Sequence, residues 1–471
     1  MVFSSSVFLF IFFPISYALY LILPNIKLKN IFLVIASLIF YAFGEPITVF
    51  LMLFSVIVNY LLGISIAKSK TKGKIYLISA VVFNLTILCI FKYLAFFIGL
   101  INDILPEAMC LPIPNIRLPI GISFFTFQIL SYVIDVYKDK KLVQKNLLNV
   151  MLYISLFPQL IAGPIVKYYD VAMQIEQRDT TVENTALGLR RFIIGLSKKL
   201  LIANAMGRIA DNMFMLQDLE QSTLTCWLGG ITYTLQIYYD FSGYSDMAIG
   251  LGKMLGFSFR ENFNYPYIAE TMQDFWRRWH ISLSTWFKEY LYIPLGGNRK
   301  GKLRTAFNKI IVFFFTGLWH GANITFVIWG LVHGLFLMLE SYNIIPLKKI
   351  KFKPIKHLYT MTVVISTFVI FRSDNFVFAW NYIKHMFINF HISSLSLSIF
   401  CEQFNAYSMF MLVIAVVFSL PIIPKVQNKL SNKKVSAAIE YVSYGFSLAM
   451  VFLCIISLAS ASYNPFIYLQ F

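Results

Sequence analysis

Apolar residues run along this chain in long blocks separated by short polar breaks. The blocks fall at residues 7–23, 31–43, 47–67 and 75–100, then at 147–165, 187–203, 224–255, 310–339, 358–371, 407–422 and 439–458. A helix needs about 20 apolar residues to cross a bilayer core about 30 Å thick. The pattern therefore predicts an all-α integral membrane protein, a multi-helix bundle of about ten or eleven transmembrane helices.

Two stretches depart from simple spans. Residues 310–339 are too long for one straight crossing and carry Gly317, Gly321 and Gly330. A broken or re-entrant helix is expected near 317–321, which is tolerable only where protein or a water-filled cavity satisfies the backbone. Residues 262–299 are rich in aromatic side chains yet interleaved with charge. They predict chain lying along a membrane interface or within a protein-lined cavity. With no internal repeat, low-complexity tract or linker, one polytopic domain over 1–471 is the economical reading.

Composition agrees with the pattern. The 471 residues are 58% hydrophobic and 13% charged, whereas soluble domains run at about 45–50% apolar and about 25% charged. The formal net charge of +18 would suggest nucleic acid in a soluble chain. Here the basic residues gather in the short breaks, so that meaning is lost. Lys68, Lys70, Lys72 and Lys74 form one cluster, and Arg299, Lys300, Lys302 and Arg304 another. Lys348, Lys349, Lys351, Lys353 and Lys356 form a third, and Lys425, Lys429, Lys433 and Lys434 a fourth. The positive-inside rule assigns all four to the cytoplasm, and the breaks at 102–114 and 211–220 to the outer side. Residues 1–23 lack a basic leader and a cleavage site, so they read as a retained first span. The five cysteines are scattered, with no spacing for a metal, and read as small apolar side chains.

Few residues in such a chain are equipped for chemistry. His357, His385 and His391 stand in polar contexts, where a solvated histidine is the ordinary reading. His320 instead interrupts an apolar block, and an ionisable residue at membrane depth is costly unless it serves a site or is satisfied by a neighbouring helix. His280 lies in DFWRRWHISLSTWFKEY at 274–290. If that segment is helical, Trp276, Trp279, Leu283, Trp286 and Tyr290 form one apolar stripe, with His280 on the same side. On pattern alone an amphipathic interfacial helix with an aromatic belt explains the stripe better than a site does. Asp240 and Asp246 sit in an apolar region, where they either anchor Arg277 and Arg278 or belong to the site. Two histidines in a low-dielectric environment suit acyl transfer, because a neutral imidazole accepts a proton from an attacking hydroxyl. Trp319 and Asn323 are placed to bond a substrate or to fix the His320 ring. No hydrolase triad, phosphate loop or zinc motif is present.

The motifs resemble those of the membrane-bound O-acyltransferase family, in its bacterial alginate O-acetyltransferase branch. The resemblance rests on LPIGISFFTFQ at 118–128, SYVIDVY at 131–137, FPQLIAGPI at 157–165 and YDFSGYSDMAIGLG at 239–252. It continues through NFNYP at 262–266, the segment 274–297 and GLWHGAN at 317–323. These occupy residues 1–340 in family order, while 341–471 carries only hydropathy and reads as C-terminal transmembrane helices. The resemblance implies a helix bundle around a central tunnel, with His320 as the catalytic centre and His280 as a second catalytic residue. Around these two histidines we expect Trp319 and Asn323 to line the acyl site, Arg277 and Arg278 to steer an anionic donor, and Asp246 to belong to the substrate site. No bound cofactor or metal is implied. Acetyl-CoA or an acyl-carrier thioester is the donor substrate, taken from the cytoplasmic side of a bacterial plasma membrane. An envelope polysaccharide and an extracytoplasmic partner transferase are the implied recipients, with D-alanyl transfer to teichoic acid as the related alternative. Ile324 stands where the family often has an aromatic residue, which bears on pocket shape. A transporter with His320, His280 and Asp246 as a proton relay is the alternative from another class, although the repeats common in transporters are absent.

Overall fold

The computed structural model describes residues 1–217, 220–388, 390, 392–429, 433–460 and 467, and among these the regular structure is helical throughout. Thr48–Lys68, Gly73–Asn102, Ile324–Ser341, Lys353–Arg372 and Tyr441–Ser460 are each long and apolar enough to cross a membrane. Ser394–Glu402 and Ala406–Phe418, bent by 77°, make a sixth crossing if they act as one. Other apolar blocks fold differently from a simple span. Phe8–Ile22 is shorter, and the long helix Thr223–Met254 buries Thr232, Gln236, Asp240, Ser242 and Asp246 along its length. Phe50, Leu61, Ile78, Phe410, Leu448 and Phe452 are turned outward. Lipid is as apolar as these side chains, so outward placement carries no penalty.

The chain forms two compact units, Met1–Phe192 with Met247–Arg260, and Ile193–Asp246 with Glu261–Phe471. In the first, buried Asn59 and Asn84 exchange amide hydrogen bonds of 3.1 and 2.7 Å between neighbouring spans, a polar clasp of the kind that joins helices in lipid. Gly121 adopts φ +77°, and a Cβ there would lie 2.8 Å from the Leu160 carbonyl oxygen. The motifs at 118–128 and 157–165 therefore meet backbone to backbone.

In the second unit the apolar block at 310–339 is a helical hairpin, Lys302–His320 and Ile324–Ser341. The break comes at Gly321, Ala322 and Asn323, beginning at the last residue of the stretch where it was expected. Asn323 Oδ1 accepts from Thr325 N–H at 3.1 Å and caps the second helix. Gly317 and Gly330 let the two helices touch, since a Cβ on either would strike the carbonyl of Phe326 or Phe313 respectively.

The segment 274–290 does not form one continuous helix. Met272–Arg278 ends at Trp279, His280 takes φ 43° and ψ 55°, and Ile281–Phe287 starts afresh. The expected single stripe is broken, and Phe275, Trp276, Trp279, Leu283 and Trp286 are all buried. The aromatic side of the segment is thus packed on protein, while Arg277 and Lys288 are exposed. Its first helix is capped by Thr271 Oγ1, which accepts from Asp274 N–H, and by the Glu340 carboxylate, which accepts from Met272 and Gln273 N–H at 2.7 and 3.2 Å.

Candidate active site

His280 is fully buried at the turn between the two short helices. Its Nδ1 lies 3.2 Å from Asn262 Oδ1. That oxygen also accepts from Ser282 N–H at 3.2 Å and Ser282 Oγ at 2.9 Å, while Asn262 Nδ2 donates to Ser245 Oγ at 3.0 Å. The amide orientation makes Oδ1 an acceptor, so Nδ1 carries the proton and Nε2 holds a lone pair. Nε2 is buried with no hydrogen-bond partner among the described residues. Burial also pushes the imidazole pKa down, which keeps the ring neutral and able to accept a proton.

His320 closes the first arm of the hairpin and is buried. Its ring centroid is 6.3 Å from that of His280, 5.0 Å from Trp319, 5.1 Å from Trp329 and 5.2 Å from Phe371. Trp319 lies 5.9 Å from His280. The structure thus brings together His320, His280 and Trp319, which the sequence places 40 residues apart at their widest.

His333 extends this cluster and was not among the sequence candidates. It is fully buried on Ile324–Ser341, and its Nδ1 accepts from Trp276 Nε1–H at 3.2 Å. Its tautomer is therefore the reverse of that of His280, with the proton on Nε2. The Trp329 ring lies between two imidazoles, 4.8 Å from His333 and 5.1 Å from His320. The rule that marks His320, an ionisable group inside an apolar block, applies equally to His333. Asn262 and Ser282 were also found only by the fold, since they reach His280 across 18 residues and from two residues beyond it.

The remaining candidates are placed differently. Arg278 bonds Asp274 at 3.0 Å and the Asn264 carbonyl at 3.2 Å, and Arg277 is exposed. Asp246 pairs with Lys198 at 2.6 Å, and Asp240 with Lys199 at 2.7 Å. Of the two roles open to Asp240 and Asp246, anchoring of Arg277 and Arg278 is not seen in these pairs, whose lysines are consecutive on the π-helical turn Lys198–Ala203. Asn323 donates from Nδ2 to the Asp374 carbonyl at 2.9 Å. It lines a cavity of about 290 Å³ together with Asp211, Tyr233, Gln236, Arg372 and Asp374. Phe371 also lines that cavity and presents its ring to His320. His357 bonds the Ala269 carbonyl at 3.2 Å, and His385 accepts from Thr223 through its own carbonyl. His391 lies outside the described residues.

Comparison with known proteins bears on this cluster. The model of the membrane-bound O-acyltransferase family matches residues 35–381, a range that holds all three buried histidines. A Pseudomonas aeruginosa protein named probable alginate O-acetylase AlgI is 43% identical over 394 residues, covering 82% of this chain and 75% of that protein. The Pseudomonas putida protein of the same name is 38% identical over 494 aligned residues, covering 100% of both. A peptidoglycan O-acetyltransferase of Helicobacter pylori is 36% identical over 422 residues, covering 82% of this chain and 80% of that protein. With its apolar helices and its buried histidine cluster, this chain belongs to the membrane-bound O-acyltransferase family and is a multi-pass O-acyltransferase of the bacterial plasma membrane.

Proposed function

We propose that the protein moves acetyl groups from a cytosolic thioester, acetyl-CoA or an acyl-carrier thioester, to a hydroxyl presented from the outer side. The acyl group is destined for an envelope polysaccharide, directly or through a partner transferase. The observation that carries this reading is the pairing of His320 with His280, two buried imidazoles 6.3 Å apart at a helix break. The relatives' names, alginate O-acetylase and peptidoglycan O-acetyltransferase, support acetyl as the group.

In the reaction the acceptor oxygen attacks the thioester carbonyl. A C–O bond forms, the C–S bond breaks, and the hydroxyl proton ends on the departing thiolate. His320 takes that proton or positions the hydroxyl, and His280, with its lone pair at Nε2, relays it. The developing oxyanion needs donors in a dry site. Trp329 supplies one, because its Nε1–H is buried beside His320 with no partner among the described residues. Trp319 packs against both imidazoles and lines the acyl pocket.

The test is mild-base release of ester-linked groups from purified envelope polymers of wild-type and deletion cells. A fall in acetate on deletion supports the reading. A fall in D-alanine instead moves the assignment to teichoic acid, and unchanged ester content in every polymer overturns it.

A further inference from the structure

We propose that His333 is a positioning residue for the reaction: its hydrogen bond to Trp276 sets the turn that carries His280 against the helix end that carries His320. This rests on the acyl-transfer reading above. The two reactive imidazoles stand on separate elements, His320 at the end of Lys302–His320 and His280 in the turn that follows Met272–Arg278. Their spacing is therefore set by whatever grips both elements. Ile324–Ser341 does so along one face. Trp329, His333 and Glu340 follow one another at intervals of four and seven residues, which puts them on the same side of that helix. Trp329 presents its ring to His320, with centroids 5.1 Å apart and planes at 87°. His333 Nδ1 accepts from Trp276 Nε1–H at 3.2 Å. Glu340 accepts from Met272 and Gln273 N–H at 2.7 and 3.2 Å, at the start of the short helix that carries Trp276.

A helix of seven residues has no stability of its own, so tertiary contacts dictate where Met272–Arg278 lies. The Glu340 contact fixes its first turn, and the His333 contact fixes it again one turn on, four residues before His280. His333 is fully buried in an apolar span, where an imidazole is costly unless it serves something. Its ring lies 5.2 Å from Trp276 and 4.8 Å from Trp329, and these two indoles are 5.8 Å from each other. The residue thus sits where the support of His280 meets the support of His320. A phenylalanine would keep much of this packing but leave the buried Trp276 N–H without its acceptor, and the short helix would shift to satisfy it. A displacement of about 1 Å between reacting groups costs about 10²-fold in rate.

The experiment uses inside-out membrane vesicles from deletion cells that express the full-length protein, with labelled acetyl-CoA and incorporation into base-labile esters as the readout, expressed per folded molecule. His333→Phe should lower kcat about tenfold or more and leave the KM for acetyl-CoA unchanged, because His333 acts through Trp276 and Trp329. His333→Gln, whose amide oxygen accepts the indole N–H, should restore kcat. Trp276→Phe removes the donor and should give the same loss; it keeps the test open where His333→Phe does not fold. The two substitutions together should cost no more than the larger single loss, since both break one bond. Asn59→Leu breaks the amide clasp of the first unit and is the control for stability: it should lower the melting temperature and leave kcat per folded molecule unchanged. The proposal is overturned by a kcat for His333→Phe or Trp276→Phe no lower than that of the control, by a KM that rises as far as kcat falls, by failure of His333→Gln to restore the rate, or by losses that multiply in the double variant. Absence of transfer by the wild type would instead strike the acyl-transfer reading, and the positioning role with it.

Discussion

Asn262 does for His280 what a buried carboxylate does in many catalytic pairs, except that it adds no charge. Its Oδ1 accepts a hydrogen bond from Nδ1–H and so keeps the lone pair on Nε2, able to act as base. Asn262→Leu should therefore lower transfer by about 10²-fold or more, the usual scale of a general-base contribution, with protein reaching the membrane at normal level. His333 makes a different contribution, as the acceptor for a buried indole N–H. His333→Phe strands that donor and should cost about 1–3 kcal/mol, read as a lower melting temperature in detergent. His333→Gln, which keeps an acceptor, should recover much of the loss. Of these residues His320 was legible from its place in an apolar block, and His280 from its motif. The roles of Asn262 and His333 were not, because their partners lie 18 and 57 residues away and no local spacing reports such contacts.

At the scale of elements, the hairpin was readable and the turn at His280 was not. A stretch of thirty mostly apolar residues with four glycines announces a break, and Gly317 and Gly321 place it within a few residues. Between Arg278 and Ile281 the three- and four-residue spacing argues for one helix, yet Ile281 N–H donates to the Asn262 carbonyl and Ser282 N–H to its side chain. These long-range bonds replace intrahelical ones and turn the chain so that His280 faces inward. Gly330→Ala tests the hairpin contact: its methyl meets the Phe313 carbonyl, and overpacking of this kind costs about 1–3 kcal/mol. The expected outcome is less folded protein in membranes and a lowered melting temperature.

Over the whole molecule, hydropathy gave the class of protein, an all-α multi-pass bundle, but not the polar pairs buried within it. It reads Thr223–Met254 as an apolar block, and that helix carries Asp240 and Asp246 to two lysines. Composition cannot show such pairs, since each depends on a helix far away in sequence. The Lys199–Asp240 pair is almost wholly buried, and Asp240 also accepts from Ile467 N–H at 2.9 Å. Removing one member of a buried pair costs about 3–5 kcal/mol. Lys199→Met should accordingly reduce folded protein sharply, and Lys199→Met with Asp240→Leu should restore part of it, as measured by detergent-resistant yield.

The account rests on His320, and its most direct test is acyl transfer by full-length protein in liposomes with labelled acetyl-CoA, comparing wild type with His320→Ala at equal amount and equal melting temperature. The prediction is transfer by wild type and a rate lower by about 10²-fold or more in the variant. A variant that transfers at the wild-type rate would contradict the assignment of His320 as the centre of the reaction.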